Sequence, residues 1–73
     1  MAEKHPLPIL AEYRIREDKT QADLAADLGV AVMTVSRWET GDRRIGVKTL
    51  PKVVEFTKIP KSELRPDIYG SAQ

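Results

Sequence analysis

The stretch TQADLAADLGVAVMTVSRWETG, residues 20–41, limits the fold of this chain more than any other part of it. Thr20 is followed three residues later by Asp23, which is a capping-box pattern: the threonine hydroxyl accepts a hydrogen bond from the amide of residue 23. The apolar residues that follow recur at helical spacing: Leu24, Ala25 and Leu28. Gly29 can adopt the positive φ that ends a helix. We therefore predict a short helix between Thr20 and Gly29.

A second helical pattern begins three residues later and runs from about Val32 to Glu39 or Thr40. Val35 and Trp38 lie three residues apart and define its inward face, while Gly41 ends it. Two short helices joined by a tight turn that contains glycine form a helix-turn-helix. A small residue inside the first helix, Ala25, lets the two helices cross closely.

The rest of the chain also has helical patterns, without strand-like alternation of useful length. We predict a first helix over about residues 8–17, a fourth over about residues 47–58, and a short fifth helix or turn after Pro60. Leu64 is expected to dock before Pro66. In the fourth helix the expected buried residues are Leu50, Val53, Val54 and either Phe56 or Thr57. The fold class is therefore all-α, a compact bundle of four to five short helices.

Length and composition exclude several kinds of protein. Seventy-three residues allow one small domain, which we place at residues 8–69 between a flexible arm (1–7) and a tail (70–73). There is no cysteine and one histidine, His5, so we expect no metal site. No apolar run is long enough for a membrane span, which favours a cytoplasmic protein without membrane contact. Without a glycine-rich phosphate loop or a carboxylate pair, we expect neither an enzyme nor a cofactor or small-molecule ligand.

The net charge is only +1, which does not by itself indicate a nucleic-acid binder. Its distribution is more informative, because residues 1–29 have a balance of −2 and residues 30–48 a balance of +2. The basic residues of the second region are Arg37, Arg43, Arg44 and Lys48. Positive charge thus gathers around and just after the third helix, where a DNA surface would need it.

The stretch TQADLAADLGVAVMTVSRWETG resembles the helix-turn-helix core of the XRE/Cro/phage-repressor family. The second half, RRIGVKTLPKVVEFTKIPKSELRPDIYG, resembles the Cro-like and YdaS-like members, which often end in a similar L-R-P-D segment. This resemblance covers about residues 8–69 and implies a lambda-repressor-like DNA-binding domain. Members are typically repressors, antitoxins or prophage regulators that bind operator DNA as homodimers.

The resemblance also implies roles for individual residues. The outward face of the third helix, which enters the major groove, would read the bases through Val32, Met33, Ser36 and Arg37. Of these, Arg37 is the best direct reader, because a guanidinium can bond guanine O6 and N7 together. The residues expected to contact DNA phosphates are Arg14, Gln21, Thr40, Arg43, Arg44 and Lys48. Arg14 and Glu39 match an ion pair of the family that joins two helices.

Three residues at the start of the third helix depart from the family pattern. Ala31 stands where relatives often have a capping Ser or Thr, and Val32 and Met33 replace residues that are frequently polar. Val32 and Met33 could be buried, could contact thymine methyl groups, or could belong to a protein-binding surface. Helical geometry argues against burial, because Val35 already points inward on the other side of the helix.

We therefore predict a sequence-specific regulator that binds double-stranded DNA, of the Cro or repressor type, which recognises a palindromic operator as a homodimer. The alternative is a protein-interaction adaptor or antitoxin that uses the same fold to bind a protein partner. The near-neutral net charge and the apolar Val32–Met33 pair favour this alternative. Trp38 is assigned to the core rather than to base stacking. Ile68 and Tyr69 either pack on the body or form a dimer contact.

Overall fold

The computed structural model describes residues 5–70, and within them the chain folds into helices joined by turns. The helices are α1 Pro8–Arg16, α2 Gln21–Leu28, α3 Val32–Thr40, α4 Leu50–Thr57, α5 Lys61–Leu64 and α6 Pro66–Tyr69. The predicted all-α class is confirmed. Among residues 5–70, no helix combines the length and the apolar content that a membrane crossing requires.

Two helices differ from the sequence prediction, and a proline explains each difference. Regular helix in α4 begins at Leu50 rather than residue 47, because Pro51 has no N–H to donate to the carbonyl of Val47. Residues 47–49 form a turn instead, with the amide of Leu50 bonded to the carbonyl of Gly46 at 2.9 Å. The additional helix α6 begins at Pro66, whose fixed φ suits the first position of a helix.

The helix-turn-helix forms as its capping residues predict. The amide of Asp23 donates to the Thr20 hydroxyl at 3.0 Å, and the Asp23 carboxylate accepts from the amide of Thr20 at 3.0 Å. Gly29 has a left-handed φ of 71° and ends α2, and Gly41, with φ 90°, ends α3 in the same manner. The chain therefore turns sharply between α2 and α3, and both helices pack on one core.

The core is formed mainly by the residues that the helical spacing predicts. Its buried apolar residues are Leu7, Leu10, Tyr13, Leu24, Ala25, Leu28, Val35, Trp38, Ile45, Leu50, Val53, Ile59 and Leu64. Trp38 is a core residue, as predicted. Of the two alternatives in α4, Thr57 is the buried residue and Phe56 is exposed. Burial of Thr57 leaves no polar atom unpaired, because its hydroxyl donates to the Val53 carbonyl at 2.7 Å and accepts from the Ile59 amide at 3.2 Å.

The segment ahead of α1 packs along the end of α3. The amide of His5 donates to the carbonyl of Gly41 at 3.2 Å, the amide of Leu7 donates to that of Glu39 at 3.3 Å, and the Leu7 side chain is buried. A Cβ atom on Gly41 would lie 2.5 Å from the His5 nitrogen, so this approach needs glycine. Residues 5–7 therefore contact α3, whereas the sequence predicts a flexible arm over residues 1–7. Residues 1–4 and 71–73, the remainder of the predicted arm and tail, lie outside the described part of the chain.

Candidate nucleic-acid interface

The outward face of α3 carries the residues predicted to read bases. Val32 is 48% exposed and Met33 is 55% exposed, and Arg37 is also exposed. Ser36 is half-buried. Since Val35 and Trp38 occupy the buried side of the same helix, the interpretation of Val32 and Met33 as core residues is wrong. The apolar pair is available to a ligand or partner.

The first turn of α3 lacks a side-chain cap. Ala31 occupies the N-cap position with extended backbone angles (φ −72°, ψ 149°), and its methyl group accepts no hydrogen bond. Its carbonyl accepts from the amide of Thr34 at 3.0 Å, as an N-cap carbonyl does. The helix therefore begins where the sequence predicts, without a polar side chain over its first amides.

Glu39, near the end of α3, joins three helices. Its Oε2 accepts from Arg14 Nε at 2.6 Å, and its Oε1 accepts from Arg14 Nη2 and from Gln21 Nε2, each at 3.0 Å. The hydrogen bond with Glu39 raises the pKa of Arg14. The Arg14 and Glu39 side chains are 17% and 9% exposed, so solvent screens this pair less than an exposed one. The structure thus brings together the start of α2, the end of α3 and the last turn of α1.

A cleft of about 280 Å³ lies between α3 and the turn that precedes α4. Its lining residues are Thr34, Arg37, Trp38, Arg43, Arg44, Gly46 and Thr49. The end of α3 is fixed beside this cleft, because the Arg37 carbonyl accepts from the Arg43 amide at 3.2 Å and from the Thr40 hydroxyl at 3.3 Å. Arg37, Arg43 and Arg44 give this cleft, called the arginine cleft below, a surface that suits an anion such as a phosphate group.

Arg44, one of the cleft residues, is bound to a carboxylate of α6. Its Nη1 lies 2.8 Å from Oδ1 of Asp67, and Arg65 holds the same carboxylate at 2.9 Å through Nε and at 2.7 Å through Nη2. Arg65, and to a smaller extent Arg44, hold the pKa of Asp67 well below its usual range. Neither Arg65 nor Asp67 was assigned a role from the sequence. The signal that could have found them is the L-R-P-D segment.

Comparison with protein families gives an extended match. A family model described as helix-turn-helix, of the XRE type, matches residues 10–64. The chain belongs to the XRE helix-turn-helix family. The comparison with curated proteins finds no match, and the comparison with solved structures finds none either. XRE proteins bind DNA and regulate transcription and are generally not enzymes, so this chain is a DNA-binding transcription regulator.

In this XRE domain, α3 is the second helix of the helix-turn-helix and the predicted recognition helix. The predicted site residues fall at three places. The base-reading set lies along α3: Val32, Met33, Ser36 and Arg37. Arg14 and Gln21 meet at Glu39, beside the start of α2. Arg43 and Arg44 line the cleft. Thr40 and Lys48 are exposed and close in sequence to the lining residues, but they do not line the cleft. Their contacts with DNA stay predictions.

Proposed function

We propose that this XRE-family regulator is a sequence-specific repressor of the Cro type that binds a palindromic operator in double-stranded DNA as a homodimer. The observation that carries the proposal is the placement of Arg37, which is exposed on the recognition helix and also lines the arginine cleft at its end. One arginine at this junction can reach a base edge while its neighbours hold the phosphate backbone.

Each group of residues has a distinct part in the proposed complex. Arg37 and Ser36 supply hydrogen bonds to bases, while Val32 and Met33 pack on thymine methyl groups, the apolar feature of the major groove. Phosphate contacts set the register of the protein on the duplex, and they come from the predicted set Arg14, Gln21, Thr40, Arg43, Arg44 and Lys48. Binding should therefore weaken steeply with salt, because phosphate contacts release counterions.

The first prediction tests Arg37. Replacement of Arg37 by alanine should weaken operator binding by about 1–3 kcal/mol and relax the preference at one base pair, because a bidentate base contact is lost. Arg16→Ala is the matched control, since Arg16 is an exposed arginine on α1. Fluorescence anisotropy with operator and scrambled duplexes measures both quantities. An Arg37→Ala protein that binds both duplexes as the parent does would show that Arg37 does not read a base.

The operator itself follows from selection on random duplexes. We expect a palindrome whose half-sites are rich in A and T and are centred about one DNA turn, roughly 34 Å, apart. The palindrome tests the dimer, and the base composition tests the thymine contacts of Val32 and Met33. Selected sites without two-fold symmetry would contradict the homodimer.

An apolar groove beside α4 supports the homodimer and suggests its surface. The groove has a volume of about 400 Å³ and is lined by Val47, Leu50, Pro51, Val54, Glu55, Lys61 and Tyr69. Glu55 and Lys61 give it one acid and one base, so two copies related by a two-fold axis can pair them reciprocally. The turn before α4 lies between the arginine cleft and the groove. Gly46 and Thr49 line the cleft, and Val47 and Leu50 line the groove. A second copy seated on the groove would place the two arginine clefts on either side of the dyad.

Substitution of two valines of similar exposure tests the proposed dimer surface and the proposed DNA surface separately. Val47 is 54% exposed in the groove, and Val32 is 48% exposed on α3. Val47→Glu should convert the dimer to a monomer in sedimentation equilibrium, whereas Val32→Glu should leave the dimer intact and abolish operator binding. Loss of the dimer with both variants, or with neither, would show that the interface lies elsewhere.

The exposed pair Val32–Met33 also supports a second candidate, a protein-interaction adaptor or antitoxin that binds a protein partner through this face. The two candidates differ in their affinity for DNA of any sequence. Gel-shift titration with random duplexes at low salt distinguishes them. Phosphate contacts alone support non-specific binding with dissociation constants of about 10⁻⁴–10⁻⁶ M at physiological salt, and lower salt makes this binding tighter. Absence of binding at micromolar protein would favour the adaptor.

A further inference from the structure

The carboxyl-terminal L-R-P-D segment, residues 64–67, is tied to the loop that carries Arg44. Leu64 is buried in the core, and Arg65 Nη1 donates to the carbonyl of Ile45 at 2.6 Å. Ile45 is itself fully buried, so Arg65 is anchored to a fixed point of the backbone. The same guanidinium donates two further hydrogen bonds to Asp67, which fix the position of that carboxylate.

Asp67 in turn contacts one nitrogen of the Arg44 guanidinium, which has further N–H donors for a ligand. Nη1 of Arg44 lies 2.8 Å from Asp67 Oδ1, and a guanidinium has five N–H donors. Arg44 also lines the cleft that contains Arg37 and Arg43. A long arginine side chain loses rotamer freedom when it binds, and a partner that orders it beforehand removes part of this cost.

We propose that Asp67, fixed by Arg65, is a positioning residue that orients Arg44 toward a DNA phosphate in the arginine cleft. This inference rests on the proposed DNA binding and adds two residues to it. The segment is then part of the DNA-binding machinery, although Asp67 carries the charge that DNA repels. The competing interpretation is that Asp67 occupies Arg44 and weakens DNA binding, and the two interpretations predict opposite signs for its removal.

The test compares two isosteric substitutions that each remove one negative charge. Asp67→Asn weakens the contact with Arg44, whereas Glu63→Gln removes the charge of an exposed residue in the neighbouring helix α5. Affinity for a random-sequence duplex is measured by anisotropy between about 50 and 200 mM salt, since phosphate contacts act on any sequence. The folded fraction of each variant is measured by circular dichroism, and the affinities are corrected for it.

We expect Asp67→Asn to bind DNA about five- to tenfold more weakly than Glu63→Gln and to lower the slope of the salt dependence by up to about one counterion. We also expect Asp67→Asn to have no effect on affinity in an Arg44→Ala background. This last result separates positioning of Arg44 from a general structural role, which would lower the affinity in both backgrounds.

Three results would overturn the inference. Asp67→Asn could match or exceed the affinity of Glu63→Gln, which would make Asp67 a bystander or a competitor of DNA. Asp67→Asn could weaken binding equally with and without Arg44, which would make its effect structural. A parent protein that binds no duplex at low salt would overturn the proposed function, and the inference with it.

Discussion

The two helices of the helix-turn-helix end alike and begin differently. Both α2 and α3 end at a glycine in the left-handed conformation. At its start, α2 has a complete capping box between Thr20 and Asp23, whereas α3 begins at Ala31 with no side-chain cap. The residues that follow Ala31 are the exposed Val32 and Met33.

This difference separates positions that stabilise the fold from positions that are exposed and do not. A cap such as that of Thr20 satisfies helix amides at a surface position and stabilises the protein by itself. The start of α3 forgoes that stabilisation, and its direction is set instead by the turn at Gly29 and by burial of Val35 and Trp38. The capped start belongs to α2, and the uncapped start belongs to α3, the helix that is proposed to enter the major groove of DNA.

The largest effect on this pair of helices is expected from Glu39, which connects the end of α3 to Gln21 at the start of α2. Glu39→Ala should lower the free energy of unfolding by about 2–4 kcal/mol, because it leaves the mostly buried Arg14 guanidinium without its carboxylate. Glu12→Ala, an exposed site on α1, is the control. Urea denaturation measures both, and equal midpoints would mean that Glu39 does not hold the helices together.

A smaller effect is expected from Thr20. Thr20→Ala should cost about 1 kcal/mol of stability, because the amide of Asp23 loses its acceptor. Thr49 is a matched control, since it stands at the N-cap of α4 and forms no side-chain cap. If Thr20→Ala and Thr49→Ala melt at the same temperature, the cap contributes nothing to the difference between α2 and α3.

The same cap predicts a dependence on pH. The backbone of Thr20, and then its side chain, lower the pKa of Asp23. A carboxyl group with a lowered pKa in the folded state stabilises the protein above its unfolded pKa, and this contribution is lost as the pH falls through the folded value. Stability should therefore decline as the pH falls below about 4. In Thr20→Ala this decline should be shallower, which denaturation curves at several pH values can check.

The smallest effect, and the only stabilising one, is expected when α3 is given the cap that it lacks. Ala31→Ser should raise the free energy of unfolding by about 0.5–1 kcal/mol, because Ala31 already has the extended backbone of an N-cap residue. Ala31→Val keeps an apolar side chain and serves as the control. A thermal midpoint for Ala31→Ser no higher than that of the parent would show that the amides of the first turn gain nothing from a cap.

The sequence was sufficient to predict features that depend on near neighbours. The capping box, the two glycine ends and the inward spacing of Val35 and Trp38 are all local, and they identify the helix-turn-helix. Features that depend on distant residues could not be read in this way. Ile45 lies in a loop of polar residues and is nevertheless fully buried, and Arg65 bonds to its carbonyl across twenty positions.

The candidate site likewise contains some features that local sequence predicts and others that depend on tertiary packing. The exposure of Val32, Met33 and Arg37 follows from helical periodicity once the buried face is known. The contact between Arg44 and Asp67 requires that α6 lie beside the loop after α3, and no periodic pattern encodes that arrangement. Local spacing thus identifies the recognition helix, and tertiary packing is needed to see how its neighbours are held.

The contact of residues 5–7 with the end of α3 has a consequence for the minimal autonomous unit of this protein. The family match spans residues 10–64, yet Leu7 completes the core on one side of that span and Arg65 fastens the loop on the other. A version trimmed to the matched residues would keep the recognition helix and lose both fastenings. The unit that keeps these contacts therefore extends beyond the matched residues on both sides.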